Sequence, residues 1–357
     1  MKVCILGDGL TSLTLAKTLV NIGINVDILS DKKSRFFKDQ RTIGISKSNI
    51  EFFNKNILNI EKLLWKINKI EIYSKNIKDE KILNFENNGE QLFSIIRNSE
   101  LYNLLKLKLV KNKFFKFKNY INIDQLLKKD YGLIINCDQK NYVTKKFFFK
   151  KLSKNYNSYA YTTTIKHKKI LKNDVATQVF TERGPLAFLP ISEIETSVVF
   201  SAQGTDDVNL VDYLEKFNNK YSSIKLNKVN KVELKSFDLR CYKYKNILAF
   251  GDILHRLHPL AGQGFNMSMR DINSLLYLIS DRINNGMEID QSICSEFEKK
   301  NKHTNYLFSN GIDLIYEFFN LESKLQNSFL SKSLKFLGKN KQFNNLLTKI
   351  ADRGIRI

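Results

Sequence analysis

The residues between Gly251 and Asn266 concentrate the side chains and backbone types that could do chemistry: Gly251-Asp252-Ile253-Leu254-His255-Arg256-Leu257-His258-Pro259-Leu260-Ala261-Gly262-Gln263-Gly264-Phe265-Asn266. Two of the four His, one of the three Pro and three of the fifteen Gly fall in this stretch, which marks it as a candidate site. Gly262-Gln263-Gly264 ahead of a helix exposes backbone N–H groups that can solvate an anionic ring or a phosphate. Asp252, just past a strand, can hold a polyol hydroxyl. His258 beside the glycine run is the titratable group suited to proton handling, with a hydrogen-bonded structural role as the alternative. His255 reads as structural or solvent-facing.

These residues need elements to position them. Asn246–Phe250 reads as a strand into the run, and Met267–Ser280 as a helix out of it. A second Gly-rich turn opens the chain. Lys2–Leu6 is a short apolar run, and Gly7-Asp8-Gly9 follows at once. Leu10, Leu13, Leu15, Ala16, Leu19 and Val20 then recur at helical spacing to Ile22, Gly23 stops the helix, and Ile24–Leu29 reads as a strand. This is a βαβ opening with G-x-G at its first turn, the setting in which a pyrophosphate sits at a helix N-terminus. Ser12 stands at the third glycine position and is small enough for close packing. Ser30 and Asp31 end the second strand, where an acidic residue would reach a ribose hydroxyl.

With both segments in view, the sequence resembles the class A FAD-dependent aromatic hydroxylases, and the His-x-x-His-Pro-x-x-Gly-Gln-Gly wording is similar to their ubiquinone-biosynthesis branch. The resemblance implies that Asp252 binds the ribityl chain of FAD, that Pro259, Gly262, Gln263 and Gly264 lie against its ring, and that Gly251 and Asn266 also belong to the cofactor site. Asp39-Gln40-Arg41-Thr42-Ile43-Gly44-Ile45-Ser46 resembles an element whose Arg contacts FAD, a role that passes to Arg41. Gly184-Pro185-Leu186-Ala187-Phe188-Leu189-Pro190 resembles a strand on the substrate side of the flavin, and Arg270-Asp271 and Lys349–Gly354 resemble further parts of the branch. All three prolines fall within two of these motifs. The implied activity is hydroxylation of a prenylated phenol or quinol in ubiquinone synthesis, with NAD(P)H and O₂, through a flavin hydroperoxide. His258 and Pro259 are the candidate catalytic positions.

One motif departs from the pattern. After an expected strand Tyr131–Asn136, Asp138 is retained for FAD, but Gln139 stands where the family has glycine, with Tyr142 and Lys145 at the usual Ser and Arg. A glycine that needs positive φ is not replaced freely. This favours, as an alternative, an accessory protein of a biosynthetic complex that binds FAD without catalysis.

The implied architecture is α/β: a Rossmann-like FAD-binding domain of the para-hydroxybenzoate-hydroxylase kind, an inserted, mainly β substrate domain, and a helical C-terminal tail. Residues 1–66, 98–150 and 238–290 would form the FAD domain, 67–97 and 151–237 the substrate domain, and 291–357 the tail. Ser99 is the expected cap of a helix Glu100–Val110. Strands are expected at Lys69–Tyr73, Gln91–Ile96, Ser158–Lys168, Ala176–Thr181, Leu186–Pro190 and Thr196–Ser201. In the tail, Tyr306, Leu307, Leu314, Ile315 and Phe318 belong to an apolar stripe that packs on the chain itself or meets a membrane surface.

The 357 residues carry a net charge of +22, yet 48 of the 58 cations are Lys and only 10 are Arg. Lysines spread along the whole chain, with so little Arg and Pro, read as composition drift and not as a nucleic-acid surface, so no nucleic-acid partner is expected. The four Cys show no C-x-x-C spacing, and no metal site is expected. No run of 18 apolar residues is present, and with the apolar stretch starting at Val3 no signal peptide is expected. The expected location is cytoplasmic, with peripheral attachment at an inner membrane surface as an option, and the expected ligand is a lipophilic aromatic molecule.

Overall fold

The computed structural model describes residues 2–30, 41–74, 81–86, 91–129, 131–204, 207–258, 262–325 and 340–354. In chain order the strands are β1 (Lys2–Leu6), β2 (Asn25–Leu29), β3 (Thr42–Ser46), β4 (Trp65–Ile67), β5 (Lys69–Ser74) and β6 (Lys81–Glu86). Next come β7 (Phe93–Arg97), β8 (Phe115–Lys118), β9 (Leu133–Asn136), β10 (Lys151–Lys166), β11 (Val175–Thr181) and β12 (Gly184–Pro190). The last are β13 (Glu195–Gln203), β14 (Lys225–Leu226), β15 (Asn230–Leu239), β16 (Lys243–Tyr244), β17 (Ile247–Ala249) and β18 (His255–Arg256). The α-helices are α1 (Leu10–Asn21), α2 (Lys47–Asn56), α3 (Asn98–Val110), α4 (Ile123–Lys128), α5 (Tyr142–Phe147), α6 (Leu210–Phe217), α7 (Gln263–Asn284), α8 (Gln291–Leu325) and α9 (Lys341–Arg353).

The first sheet runs β16-β17-β9-β1-β2-β8 and is parallel except for the β16–β17 hairpin. Val3 to Leu6, Leu133 to Ile135 and Ile247 to Ala249 are all buried, as strands covered on both faces must be. The second sheet runs β18-β15-β10-β13-β12-β11-β5-β6, with β14 also on β10. It is antiparallel except where β11 meets β5. Its long strand β10 alternates: Tyr156 and Ala160 join one apolar cluster, and Tyr161 and Ile165 join another on the opposite face. The first cluster packs under α7 and α8 through Met267, Phe308, Ile312 and Tyr316; the second is covered by α6 through Leu210 and Leu214.

Four expectations are corrected. The strand expected at Gln91–Ile96 is β7, and it pairs with β3 and β4 in a separate three-stranded sheet. The helix expected from Ser99 begins at Asn98 with Arg97 as its N-cap, and no side chain caps it. The helix expected from Met267 begins four residues earlier, at Gln263. In α8 the buried stripe is Phe308, Ile312 and Tyr316, whereas Tyr306, Leu314 and Ile315 are exposed. Both sets recur at helical spacing, and only the packing partner decides which one faces inward.

Candidate functional site: a cradle at the strand ends

Strands β1, β9 and β17 end side by side at Leu6, Asn136 and Ala249, and the turns that leave them meet. Parallel sheets place their ligands at such carboxyl ends. Gly7 leaves β1 at φ +92°, and a Cβ there would come within 3.0 Å of the Asp138 Cβ. Gly251 leaves β17 at φ +63°, and its added Cβ would meet Thr11 Cγ2 at 2.9 Å. Glycine is required at both positions by backbone and by space. Three motifs far apart in sequence are thereby drawn into one crevice.

The crevice presents the N-terminus of α1, and a second uncapped helix N-terminus, that of α7, lies against β3. Gly9 caps α1 without a side-chain hydrogen bond, and no acidic residue occupies the first turn. The amides of Leu10, Thr11 and Ser12 therefore lack intrahelical acceptors, and a Cβ on Gly9 would meet nothing within 4 Å. That open space above uncapped amides suits a phosphate. Gly262, at φ +62°, caps α7 in the same uncapped way. Asp8 Oδ2 and Gln263 Oε1 are buried without hydrogen-bond partners among the described residues. A polar cofactor can satisfy such atoms, so the donors and acceptors present fit FAD.

The other sequence-derived positions divide. Asp252 is exposed in the short 3-10 turn Gly251–Ile253, placed to reach a ligand. Ser30 is buried at the end of β2, and its amide donates to Lys118 O at 3.1 Å. Arg41 is exposed and leads into β3, whose Gly44 amide lies 3.5 Å from where a Gly262 Cβ would be. Asp138 accepts from Tyr120 Oη at 2.5 Å and from the Lys140 amide at 2.9 Å, so part of its capacity is committed within the protein. Asp31 and Pro259 lie outside the described residues.

Asn266 takes a different role from the one its motif implies. Its Nδ2 donates to Gly44 O (3.0 Å) and Gly262 O (3.1 Å), and its Oδ1 accepts from the Ser46 amide (3.0 Å) and Asn49 Nδ2 (2.9 Å). All four hydrogen-bonding positions of the amide are used. Asn266 clamps β3 and α2 onto the start of α7 and has no side-chain valence left for a ligand. Asp352 reinforces the clamp from α9. Its Oδ1 accepts from the Ser48 amide at 2.8 Å, and its carbonyl accepts from Ser46 Oγ and Ser48 Oγ. Asn49 and Tyr120 were not legible as site residues, because nothing in their local spacing announces the partner.

Gln139 bridges two motifs: its Nε2 donates to Asp252 O at 2.7 Å. The residue that departs from the family pattern thus tethers the turn carrying Asp252. His255, expected to be structural or exposed, is 2% exposed and meets Asp271. His258 is 1% exposed, between Tyr156 and Tyr316, and burial pushes its pKa down to about 3. Arg270 buries its guanidinium 4.3 Å from the Phe308 ring centre, and burial lowers its pKa to about 10. Among the described residues no His/Cys/Asp/Glu group could hold a metal ion, and no helix is long and apolar enough to cross a membrane.

The fold is the one seen in FAD-dependent monooxygenases of known structure. The p-nitrophenol 4-monooxygenase PnpA of Pseudomonas putida matches with a TM-score of 0.80 at 13% identity, over 99% of this chain and 98% of that one. Klebsiella pneumoniae HpxO, solved with FAD and uric acid, matches with a TM-score of 0.72 at 12% identity, over 98% and 96% of the two chains. A family model described as an FAD binding domain matches residues 200–287, which include β17, the Gly251 turn and all of α7.

In sequence, parts of the chain are similar to ubiquinone-biosynthesis hydroxylases. The ubiquinone biosynthesis monooxygenase COQ6 of Rattus norvegicus is 29% identical over 178 residues, which are 38% of this chain and 37% of that protein. The 3-demethoxyubiquinol 3-hydroxylase of Escherichia coli is 26% identical over 157 residues, 41% of this chain and 40% of that enzyme. The matched stretches span about two fifths of these relatives.

Proposed function

We propose that the chain is an FAD-dependent monooxygenase that hydroxylates the aromatic ring of a prenylated phenol or quinol in ubiquinone biosynthesis, using NAD(P)H and O₂. The observation that carries this is the crevice where Gly7, Asp138, Thr11, Gly251 and Gln139 converge at the uncapped N-terminus of α1. When bound, FAD supplies the redox and oxygen chemistry. The uncapped amides of α1 are assigned to the pyrophosphate, Asp252 and Arg41 to the cofactor's polar groups, and the Gly262–Gly264 amides to its ring. The large sheet, with α7 and α8 above it, is assigned to the substrate, and its apolar cluster keeps water from the reacting ring.

The test is the absorbance spectrum of the purified protein, then NAD(P)H oxidation with a prenylated phenol. Flavin bands near one per chain with phenol-stimulated oxidation are expected; a colourless protein that FAD cannot restore refutes the reading. A second reading, FAD binding without catalysis, is favoured by Gln139 and Tyr142, which depart from the motif. It predicts bound flavin that NAD(P)H never reduces.

Peripheral attachment to an anionic membrane surface belongs to the same proposal. A lipophilic substrate makes it useful, and Leu314 (70% exposed), Ile315, Leu321 and Leu346 supply apolar contacts on α8 and α9. Flotation with anionic liposomes, reversed by salt, is the expected behaviour; no flotation at low salt removes it.

A further inference from the structure

Five lysines far apart in sequence, Lys2, Lys113, Lys116, Lys118 and Lys129, line one cavity of about 990 Å³. It lies at the amino ends of β1 and β2, where Lys2 and Asn25 begin those strands, whereas the cradle lies at their carboxyl ends. Asp27 and Glu288 are the carboxylates among the described lining residues. Five ammonium groups against two carboxylates leave the cavity strongly cationic.

Asp27 shows that part of this charge is built into the fold. It stands inside the parallel strand β2 with its side chain 3% exposed, where an apolar residue is the ordinary choice. Its Oδ2 accepts from Lys2 Nζ at 2.9 Å, Lys118 Nζ at 2.6 Å and Tyr131 Oη at 2.7 Å. Burial by itself raises the Asp27 pKa, but the hydrogen bonds from Lys118, Lys2 and Tyr131 lower it overall, so the carboxylate stays charged. Two like charges are thereby held side by side on one oxygen, and one carboxylate cannot neutralise both. Replacing buried ion pairs by apolar side chains is often neutral or stabilising, so folding alone does not call for this arrangement. An ammonium group has three donors. Lys2 and Lys118 are 40% and 34% exposed, and each spends one donor on Asp27, leaving two for a ligand in the cavity they line.

We propose that this cavity is a second ligand site, which takes a phosphate monoester or diphosphate whose oxygens accept from Lys2 and Lys118 and from the exposed Lys116 and Lys129. A ligand of two or three negative charges matches the surplus of cations, and charge-assisted hydrogen bonds to phosphate oxygens are among the strong ones. Exposed Ile283 and Met287 at the same cavity suit an apolar group joined to the phosphate. A lipid headgroup and a free phosphate ester both offer this chemistry. The inference does not draw on the cofactor cradle and stands apart from the hydroxylase reading.

The test uses the full chain and two double variants that each remove two exposed cations. Lys116→Gln with Lys129→Gln strips the cavity; Lys168→Gln with Lys172→Gln, outside it, is the equal-charge control. Exposed lysines are replaced at little cost, so both variants should fold as wild type does. Binding is read by calorimetry with inorganic pyrophosphate in magnesium-free buffer, and by flotation with phosphatidylcholine vesicles with and without phosphatidate. The cavity variant should bind at least one of the two phosphate probes about tenfold more weakly, and the control should stay within about twofold of wild type. A loss confined to pyrophosphate makes the ligand a soluble phosphate ester, and one confined to phosphatidate vesicles makes it a lipid headgroup; a loss with both means that either source is taken. Equal loss in the two variants means that overall charge alone attracts anions, and overturns the inference. Unchanged binding in the cavity variant, or no binding of either probe by wild type, overturns it as well.

Discussion

His255 Nε2 meets Asp271 Oδ2 at 2.7 Å, and each side chain is 1% exposed. His255 lies on β18, just past the Gly251 turn, and Asp271 lies two turns into α7, the helix whose N-terminus lines the cradle. Asn305 Nδ2 donates to the other Asp271 oxygen at 2.9 Å and ties in α8. Burial by itself lowers the His255 pKa, but the charge and hydrogen bond of Asp271 raise it overall. Asp238 faces His255 across the β15–β18 ladder; burial pushes its pKa up to about 6, and Ser309 Oγ donates to it.

Breaking this pair leaves one buried partner without its counter-charge, which costs about 3–5 kcal/mol. Asp271→Asn is expected to lower the urea-derived unfolding free energy by about 3 kcal/mol; a loss under 1 kcal/mol contradicts the role. The sign of the pH dependence follows from the raised His255 pKa. The stabilisation is complete below the unfolded value, near 6.5, and is lost as pH climbs through the folded value. The advantage of wild type over Asp271→Asn should therefore be greatest below about pH 6.5 and shrink in alkali.

Gly9 and Gly251 separate cofactor binding from folding. Gly251→Ala places a methyl 2.9 Å from Thr11 Cγ2 at φ +63°, so it should destabilise the protein by at least about 1 kcal/mol. Gly9→Ala meets open space at φ −66°. Its thermal midpoint without FAD should match wild type or rise slightly, while FAD binding weakens at least about tenfold because the methyl fills the space assigned to the pyrophosphate. Unchanged FAD affinity in Gly9→Ala removes the phosphate from that helix end.

The parallel sheet and both glycine turns were legible because their signals are local: short apolar runs, helical spacing, and glycines at strand ends. What escaped depends on contacts between distant segments. The phase of the buried stripe in α8 is set by β10 and α7, and β7 pairs with β3 and β4, which no spacing near Gln91 encodes. Asn266 belongs to a cofactor motif yet spends its whole side chain on β3, α2 and Gly262. Charge shows the same limit. Lys2, Lys113, Lys116, Lys118 and Lys129 are scattered in sequence but line one cavity of about 990 Å³, none of whose lining residues belongs to the cradle. There Asp27, 3% exposed, accepts from Lys2 Nζ at 2.9 Å and Lys118 Nζ at 2.6 Å.

Gln139 tests whether the departure from the family motif has a compensating use. Its hydrogen bond to Asp252 O is at a half-exposed site, so Gln139→Ala should cost only about 0.5–1.5 kcal/mol of stability. The larger effect is expected on FAD, with retention during gel filtration reduced as the Asp252 turn loses its tether. Identical flavin content in wild type and Gln139→Ala makes the contact incidental.

His258 predicts the opposite pH limb from His255. Its folded pKa of about 3 lies below the unfolded value near 6.5, so its contribution is complete above about pH 6.5 and is lost as pH falls toward 3. Charging the imidazole between Tyr156 and Tyr316 has no compensating acceptor, since both hydroxyls are engaged elsewhere. By linkage this amounts to at most about 4 kcal/mol across that window. His258→Phe removes the titrating group, so its stability should fall less steeply than that of wild type between pH 6.5 and 4, while the two curves run parallel above pH 7. Thermal melts at half-unit pH steps measure the difference, and parallel acid limbs in the two proteins contradict a neutral, buried His258.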